Sequence, residues 1–407
     1  MTQAPVRVVY LTHTLGVGGA EELILNMVAR LPRDRFEPIV CCFESPPGPI
    51  GPEIAALGVP VIPLGVVPGW RRPSAWWSIV RQLRRLRPAI VHTFMLPASL
   101  YGRSAAIAAG VPIIIGTEVN IYERKQRHHI FIERLLAARS ACVVASAESV
   151  KAAYVRQLGI RPDAVRVVYN AVNWNRLNAT KSPHEVRVEL GIPSDRLVVG
   201  TVATLQNKKG HRVLLDAVAK TPGLEAIWLM LVGDGPERAS LQAHAAALGI
   251  ANRVTFCGTR RDLGNLLPAM DVFALPSLWE GLPLALILAM GASRPVVATN
   301  LAGIPEVVTD GQTGLLVEPG NVSEIGAALA RVCRDDALRA ELGARARAAV
   351  RDRFGADAYG AAVIGIYEEF LAKNTARGEP VEPRADPSTL RAAQGRPEQS
   401  RGTTTSG

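Results

Sequence analysis

A lone carboxylate, Glu280, sits in Pro276-Ser277-Leu278-Trp279-Glu280-Gly281-Leu282-Pro283, where a strand-like apolar run hands over to the helix-like run Leu284 to Leu288. Such a turn presents a carboxylate beside backbone N–H groups at a helix start, whose orphan donors and partial positive charge suit a phosphate or a set of sugar hydroxyls. Lys208 and Lys209 close a second turn of this kind, Gly200-Thr201-Val202-Ala203-Thr204-Leu205-Gln206-Asn207-Lys208-Lys209-Gly210. An ammonium group placed there can neutralise a departing diphosphate without a metal. Three glycine turns accompany them: Gly16-Val17-Gly18-Gly19, Gly233-Asp234-Gly235-Pro236 and Gly258-Thr259-Arg260-Arg261-Asp262. Glycine lets a backbone approach a ligand closely. Singly, each of these turns also reads as an ordinary strand-to-helix connection, and the lysine pair as a solvated surface pair. Together they point to the handling of a sugar diphosphate.

The elements that must position these groups follow from the alternation of short β-rich runs with helical patterns, the sequence form of parallel sheets with crossover helices. In the first half, strands are expected at Val6 to Leu11, Phe36 to Cys42, Val59 to Pro63, Ile90 to His92, Ile113 to Gly116, Cys142 to Ala145 and Val165 to Val168. In the second half they are expected at Leu197 to Val202, Ile227 to Val232, Val254 to Phe256, Val272 to Ala274, Val296 to Ala298 and Leu315 to Val317. Helical patterns cover Ala20 to Leu31, Ile325 to Cys333, Ala337 to Val350 and Ala358 to Leu371. The fold class is therefore α/β, with two Rossmann-like domains facing each other across a cleft and ligands at the carboxyl ends of the strands. The expected division is a first domain over 1–172, a polar linker over 173–195, a second domain over 196–355, a helix over 356–373, and a Pro-, Gly-, Ser-, Thr- and Arg-rich disordered tail over 374–407.

The 407 residues exceed one core, and 48% apolar with 20% charged residues suits a soluble globular chain. No run is long and apolar enough to span a bilayer, and no secretory signal pattern precedes the first strand, so a cytoplasmic protein is expected. The five cysteines show no C-x-x-C spacing and read as reduced core residues. Residues 1–170 hold 20 Lys and Arg against 11 Asp and Glu, whereas 171–407 hold 26 against 25. That asymmetry suggests an anionic partner for the first half, such as the inner face of a membrane, a lipid phosphate or an acidic glycan. Trp70-Arg71-Arg72-Pro73 and the arginine-rich run through Trp76, Trp77, Ile79, Val80, Leu83 and Leu86 read as a basic amphipathic helix. It either lies on an anionic bilayer or buries its apolar face on the sheet. A second basic cluster, Arg124-Lys125-Gln126-Arg127-His128-His129, belongs to the acceptor side. Nucleic acid is a poor partner, because the positive residues are scattered and little interleaved with aromatics.

The ordered set Gly16-x-Gly18-Gly19, Lys209-Gly210-His211, Gly233-Asp234-Gly235-Pro236, Pro276-Ser277-x-x-Glu280-Gly281-Leu282-Pro283, Val296-Val297-Ala298-Thr299 and Gly303-x-Pro305-Glu306-Val307-Val308 resembles the family 4 glycosyltransferases of the GT-B fold, over roughly residues 6 to 372. The resemblance implies a retaining transferase that moves a sugar from a nucleotide-sugar to a glycan or lipid-linked acceptor, as in cell-surface polysaccharide or glycolipid synthesis. It implies no metal or other cofactor, and a last helix crossing back to the N-terminal domain. It assigns Glu280 to the sugar hydroxyls and Lys209 to the diphosphate. Gly16, Gly18, Gly19, Thr204, Lys208, Gly233, Thr259, Arg260, Gly281, Leu282, Pro283 and Leu288 border the donor, with Glu306 on the far side. His13, Val119 and Asn120 fall on the acceptor side. Three positions depart from the family pattern: Thr204 stands where an Arg is usual, Leu288 where the second acid of E-x7-E falls, and Val119 where a His is frequent. Those departures leave open an alternative, a GT-B protein that binds a nucleotide-sugar or glycan without turnover and acts as a regulatory partner. Lys208 and His13 are the residues placed to replace the missing charge and imidazole.

Overall fold

The computed structural model describes residues 4–67, 73–121 and 126–378. Seven strands form a first sheet: β1 (Val6–Thr12), β2 (Phe36–Cys42), β3 (Val61–Pro63), β4 (Ile90–Phe94), β5 (Ile113–Glu118), β6 (Cys142–Ala145) and β7 (Val165–Val167), in the order β3-β2-β1-β4-β5-β6-β7. Six more form a second: β8 (Val198–Val202), β9 (Trp228–Val232), β10 (Val254–Gly258), β11 (Val272–Leu275), β12 (Val296–Thr299) and β13 (Leu315–Val317), in the order β10-β9-β8-β11-β12-β13. The strands pair in parallel, with Val9 opposite Ile39 on one side of β1 and opposite Val91 on the other. Strands such as Ile90–Phe94 and Val272–Leu275 are buried along their whole length, as sheets covered by helices on both faces require. Sequence order reverses between β1 and β4 in the first sheet and between β8 and β11 in the second. At these points the connections leave in opposite directions and open a crevice beyond the carboxyl ends of the strands.

The chain divides into two compact units. One is drawn from Met1–Thr117, Leu135–Val143 and the chain from Gly365 onward, the other from Glu118–Arg134 and Val144–Ile364. Within the first unit, a buried polar chain ties the last helix, Ala356–Ala376, to the sheet. Tyr367 Oη lies 2.7 Å from His92 Nδ1, His92 Nε2 lies 2.6 Å from Thr117 Oγ1, and Tyr367 donates to Tyr10 Oη at 3.2 Å. Burial pushes His92 down to about 3, so the ring stays neutral and its two nitrogens act as one donor and one acceptor.

Two expectations change. The stretch 173–195 is a hydrogen-bonded part of the second unit rather than a solvated tether. It contains the helix Pro183–Glu189, opened by a Ser182/Glu185 capping box, and Arg187 bonds Asp271 at 2.8 Å. The Asn265 side-chain oxygen accepts from the N–H groups of Thr180 and Lys181. The last helix runs to Ala376 with Asn374 buried, so order extends past the expected tail start at Asn374. The rest of that expectation, 379–407, lies outside the described residues. The helix Pro73–Leu86 buries Ala75, Ile79, Val80, Leu83 and Leu86, and Trp76 donates to Ser104 Oγ at 3.0 Å, so its apolar face packs on the protein, while Trp77 is exposed alongside Arg81, Arg84 and Arg85. Trp70, Arg71, Arg72, Arg124 and Lys125 fall outside the described residues. Cys41, Cys42, Cys142 and Cys333 are buried and Cys257 half-buried, all as reduced thiols outside any disulfide.

Candidate active site

The turns that follow β8 and β11 meet at the switch point of the second sheet. A strand ending in an apolar run must shed its backbone polarity on leaving the core, and both turns do so on each other: Leu278 N–H donates to Lys208 C=O at 2.8 Å. Gly210, at φ +68°, lets the Lys209 turn fold down against β11, since a Cβ there would stand 1.9 Å from Pro276 O. The result brings Lys209 Nζ to 2.5 Å from Glu280 Oε1, with Glu280 only 6% and Lys209 17% exposed. Ser277 Oγ donates to the same Oε1 at 2.9 Å, and Ser277 C=O accepts from Thr299 Oγ1, on β12, at 2.8 Å. Lys209 and Ser277 thus hold one carboxylate oxygen, and Thr299, from a third strand end, holds the Ser277 backbone in turn.

Lys208, beside this pair, is half-buried and forms no ion pair among the described residues. Burial first, then the neighbouring Lys209, lowers its pKa. His211, at the start of the next helix, is buried with both ring nitrogens unpartnered, and burial followed by the Lys209 charge pushes it down to about 4.

Gly281 is a glycine for a local reason: its Cβ would lie 1.9 Å from Val119 O. That contact brings Val119, buried and with its carbonyl accepting from Ser146 Oγ, against the Glu280 turn, and Asn120 N–H donates to Glu118 Oε1 at 3.3 Å. The N–H groups of Gly281 and Leu282 make no hydrogen bond among the described residues, while Leu282 C=O accepts from Asn170 at 2.7 Å. Pro283 opens the helix Leu284–Gly291, on which Leu288 is buried at 8% exposure. Thr204 is exposed at the end of β8, in a loop braced by the glycine turn after β9: Leu205 N–H donates to Asp234 C=O, and Gly233 and Gly235 clear Ala203 O and Leu205 O.

At three of the positions expected beside the donor, polar groups are spent within the protein. Gly233 N–H is spent on Gly258 C=O at 2.8 Å, so it braces the loop and offers no donor to a base. Arg260 is held by both oxygens of Asp262 and by Glu189, which neutralise its guanidinium; Thr259 beside it is exposed. Glu306 uses both carboxylate oxygens on the N–H groups of Glu148 and Ser149, capping the helix Glu148–Leu158.

In the first unit, the turn after β1 carries His13, Gly16, Gly18 and Gly19. His13 Nε2 lies 3.7 Å from Glu44 Oε1, and both line a hollow with Phe43, Ser45, Pro46, Gly65, Val66 and Val67. No Lys or Arg is among these lining residues, so the basic excess of the first half is not gathered here. Gly16 N–H donates to Thr14 Oγ1 at 3.0 Å, and Gly19 begins the helix Gly19–Arg30. At Gly18 the structure differs from the expected ligand wall: a Cβ would stand 2.4 Å from Glu21 Oε2, so the glycine makes room for this chain's own carboxyl. Burial, then the charges of Glu22 and Glu44 against its own backbone hydrogen bond, raises Glu21 to about 7. Glu21 was not singled out in the sequence, and Ser277 and Thr299 stood in the motifs without an assigned role, because their contacts are not encoded in motif spacing.

Two parallel Rossmann-like units, with an acid and an ammonium joined at the switch point of the second sheet, define a GT-B architecture. Residues 17–176 match the family described as Glycosyltransferase Family 4, and residues 184–349 match Glycosyl transferases group 1. The chain is 31% identical over 231 residues to the lipopolysaccharide core biosynthesis glycosyltransferase LpsE of Rhizobium meliloti (strain 1021), covering 57% of this chain and 64% of that relative, just under two thirds of its length. It is 24% identical over 352 residues to the UDP-Gal:alpha-D-GlcNAc-diphosphoundecaprenol alpha-1,3-galactosyltransferase of Escherichia coli, covering 83% and 90%. Anabaena Alr3699/HepE, solved in complex with UDP-glucose, superposes with a TM-score of 0.79 at 24% identity over 89% of this chain and 99% of its own. The chain belongs to the family 4 glycosyltransferases and is a glycosyltransferase of the GT-B fold.

Proposed function

We propose that the protein is a retaining transferase that takes a sugar from a nucleotide-sugar and delivers it to a glycan or lipid-linked acceptor in cell-surface polysaccharide or glycolipid synthesis. The observation that carries this reading is the Lys209–Glu280 pair at the switch point of the second sheet. As the glycosidic bond breaks, negative charge gathers on the leaving diphosphate. Lys209, with Lys208 beside it, meets that charge, while Glu280 and the N–H groups of Gly281 and Leu282 hold the sugar ring. No resident metal is needed for these steps. HepE, solved with UDP-glucose, and the galactosyltransferase, named for UDP-Gal and a diphosphoundecaprenol acceptor, support a nucleotide-sugar donor and a lipid-linked acceptor as first choices to test. Purified protein offered a panel of UDP- and GDP-sugars is expected to release nucleoside diphosphate from at least one. Binding without release from any donor, with or without acceptor lipid, would favour the non-catalytic alternative.

The reading places the protein at the cytoplasmic face of an anionic membrane. No helix among the described residues is long and apolar enough to cross a bilayer. Its support is the helix Arg127–Arg139, which exposes Phe131 (62%) and Leu135 (53%) on a face shared with Arg127, Arg134 and Arg139. Sedimentation with vesicles containing anionic lipid is expected to carry the protein down, and Phe131→Ser with Leu135→Ser to weaken binding by about tenfold or more. Equal binding to neutral and anionic vesicles would remove the electrostatic part of this idea.

A further inference from the structure

The carboxylate and ammonium that the proposed function assigns to two halves of the donor are spent on each other in the structure. Glu280 Oε1 takes both the Lys209 ammonium and the Ser277 hydroxyl, while Oε2 has no partner among the described residues. Both charged groups are largely withdrawn from water, so neither can leave the other without a replacement of like chemistry. A diphosphate supplies anionic oxygens for Lys209, and a vicinal diol supplies two hydroxyl donors for Glu280, which needs both carboxylate oxygens to grip it.

From this arrangement we infer that the Lys209–Glu280 pair is an internal stand-in for the donor, so that a nucleoside diphosphate and a sugar ring bind with positive coupling. Either ligand alone must break the pair and leave one member without a partner. Once the diphosphate holds Lys209, the sugar meets a carboxylate already released. Ser277 and Thr299 keep that carboxylate in position meanwhile, since their bonds do not depend on the ammonium. Lys208, half-buried and in no ion pair among the described residues, is the cation that meets the incoming anion first, because Lys209 is neutralised at rest. The inference rests on the donor reading above and adds to it the order and dependence of binding.

Calorimetry separates the two ideas. UDP and GDP are titrated alone, the free hexoses glucose, galactose, mannose and N-acetylglucosamine alone, and each hexose again with the nucleotide saturating. At least one hexose is expected to bind roughly 5- to 150-fold more tightly when the nucleotide is present, the range of ordinary coupling between sites. Glu280→Gln, which keeps the shape and loses the charge, is expected to bind the nucleotide more tightly than the native protein while losing sugar affinity. A purely structural role for Glu280 would instead weaken both. Lys209→Met is expected to weaken nucleotide binding and to abolish the coupling. Nucleotide binding with no effect on any hexose, or a Glu280→Gln protein that binds nucleotide no better, overturns the stand-in and leaves the donor reading intact. No binding of either nucleotide overturns both.

Discussion

Glu280→Ala lowers sugar transfer by roughly 100- to 1000-fold, the usual loss when one preorganised group aimed at the reacting centre is removed. The effect is this large because nothing nearby takes its place: among the described residues its neighbours at the turn are Ser277, Lys209 and the backbone of Gly281, none of them an acid. Lys209→Ala brings a loss of similar size, since it removes the charge opposite the leaving diphosphate. Combining the two substitutions costs far less than the product of the separate losses, because groups that act as a unit are not additive. Steady-state transfer rates over a range of donor concentrations, with thermal unfolding of each variant as a control for folding, provide the measurement. A Glu280→Ala protein that keeps a tenth of the native rate would mean the carboxylate does not touch the reacting sugar.

Gly210→Ala is expected to destabilise the protein by about 2 to 4 kcal/mol and to lower transfer about 100-fold in the fraction that remains folded. Two effects add. The left-handed conformation at φ +68° costs a residue with a Cβ roughly 1 kcal/mol. The Cβ would also stand 1.9 Å from Pro276 O, a backbone atom that cannot swing aside. Relief comes only if the Lys209 turn lifts away from β11, which stretches the Leu278 N–H to Lys208 C=O bond and carries Lys209 from Glu280. Gly191 supplies the matched control: it has φ +66° and nothing within 4 Å of its would-be Cβ. Gly191→Ala should show only the conformational part, about 1 kcal/mol, with transfer unchanged. Equal melting temperatures for the two variants would remove the steric argument.

The strands were legible because buried parallel strands are written as short apolar runs; Phe36–Cys42, Cys142–Ala145 and Leu315–Val317 fall where those runs lie. The two strand-to-helix turns that carry Lys209 and Glu280 were legible as well, whereas the pairing that sets their strands side by side comes from the sheet order. What could not be read is how polar side chains are spent over long separations. Glu306 caps a helix 158 residues earlier, Arg260 is held by Glu189 from 71 residues away, and Asn265 grips backbone at Thr180 and Lys181. Local spacing carries no record of such partners, which occupy Glu306 and Arg260 within the protein and tie the stretch around Thr180 to the second unit. Glu21 went unnoticed for the same reason: an acid in the first turn of a helix reads as a response to the helix dipole, and only its burial against Gly18 sets it apart.

The bond from Tyr367 to His92 also bears on how the protein is made. Translation delivers Tyr10 and His92 before most of the second unit and Tyr367 after it, so the earlier unit waits with a neutral imidazole and a phenol lacking a partner that comes later in the chain. The later unit, drawn from Glu118 to Ile364, is nearly complete before that helix emerges. A first unit made without the helix that carries Tyr367 is expected to leave His92 and Tyr10 without that partner.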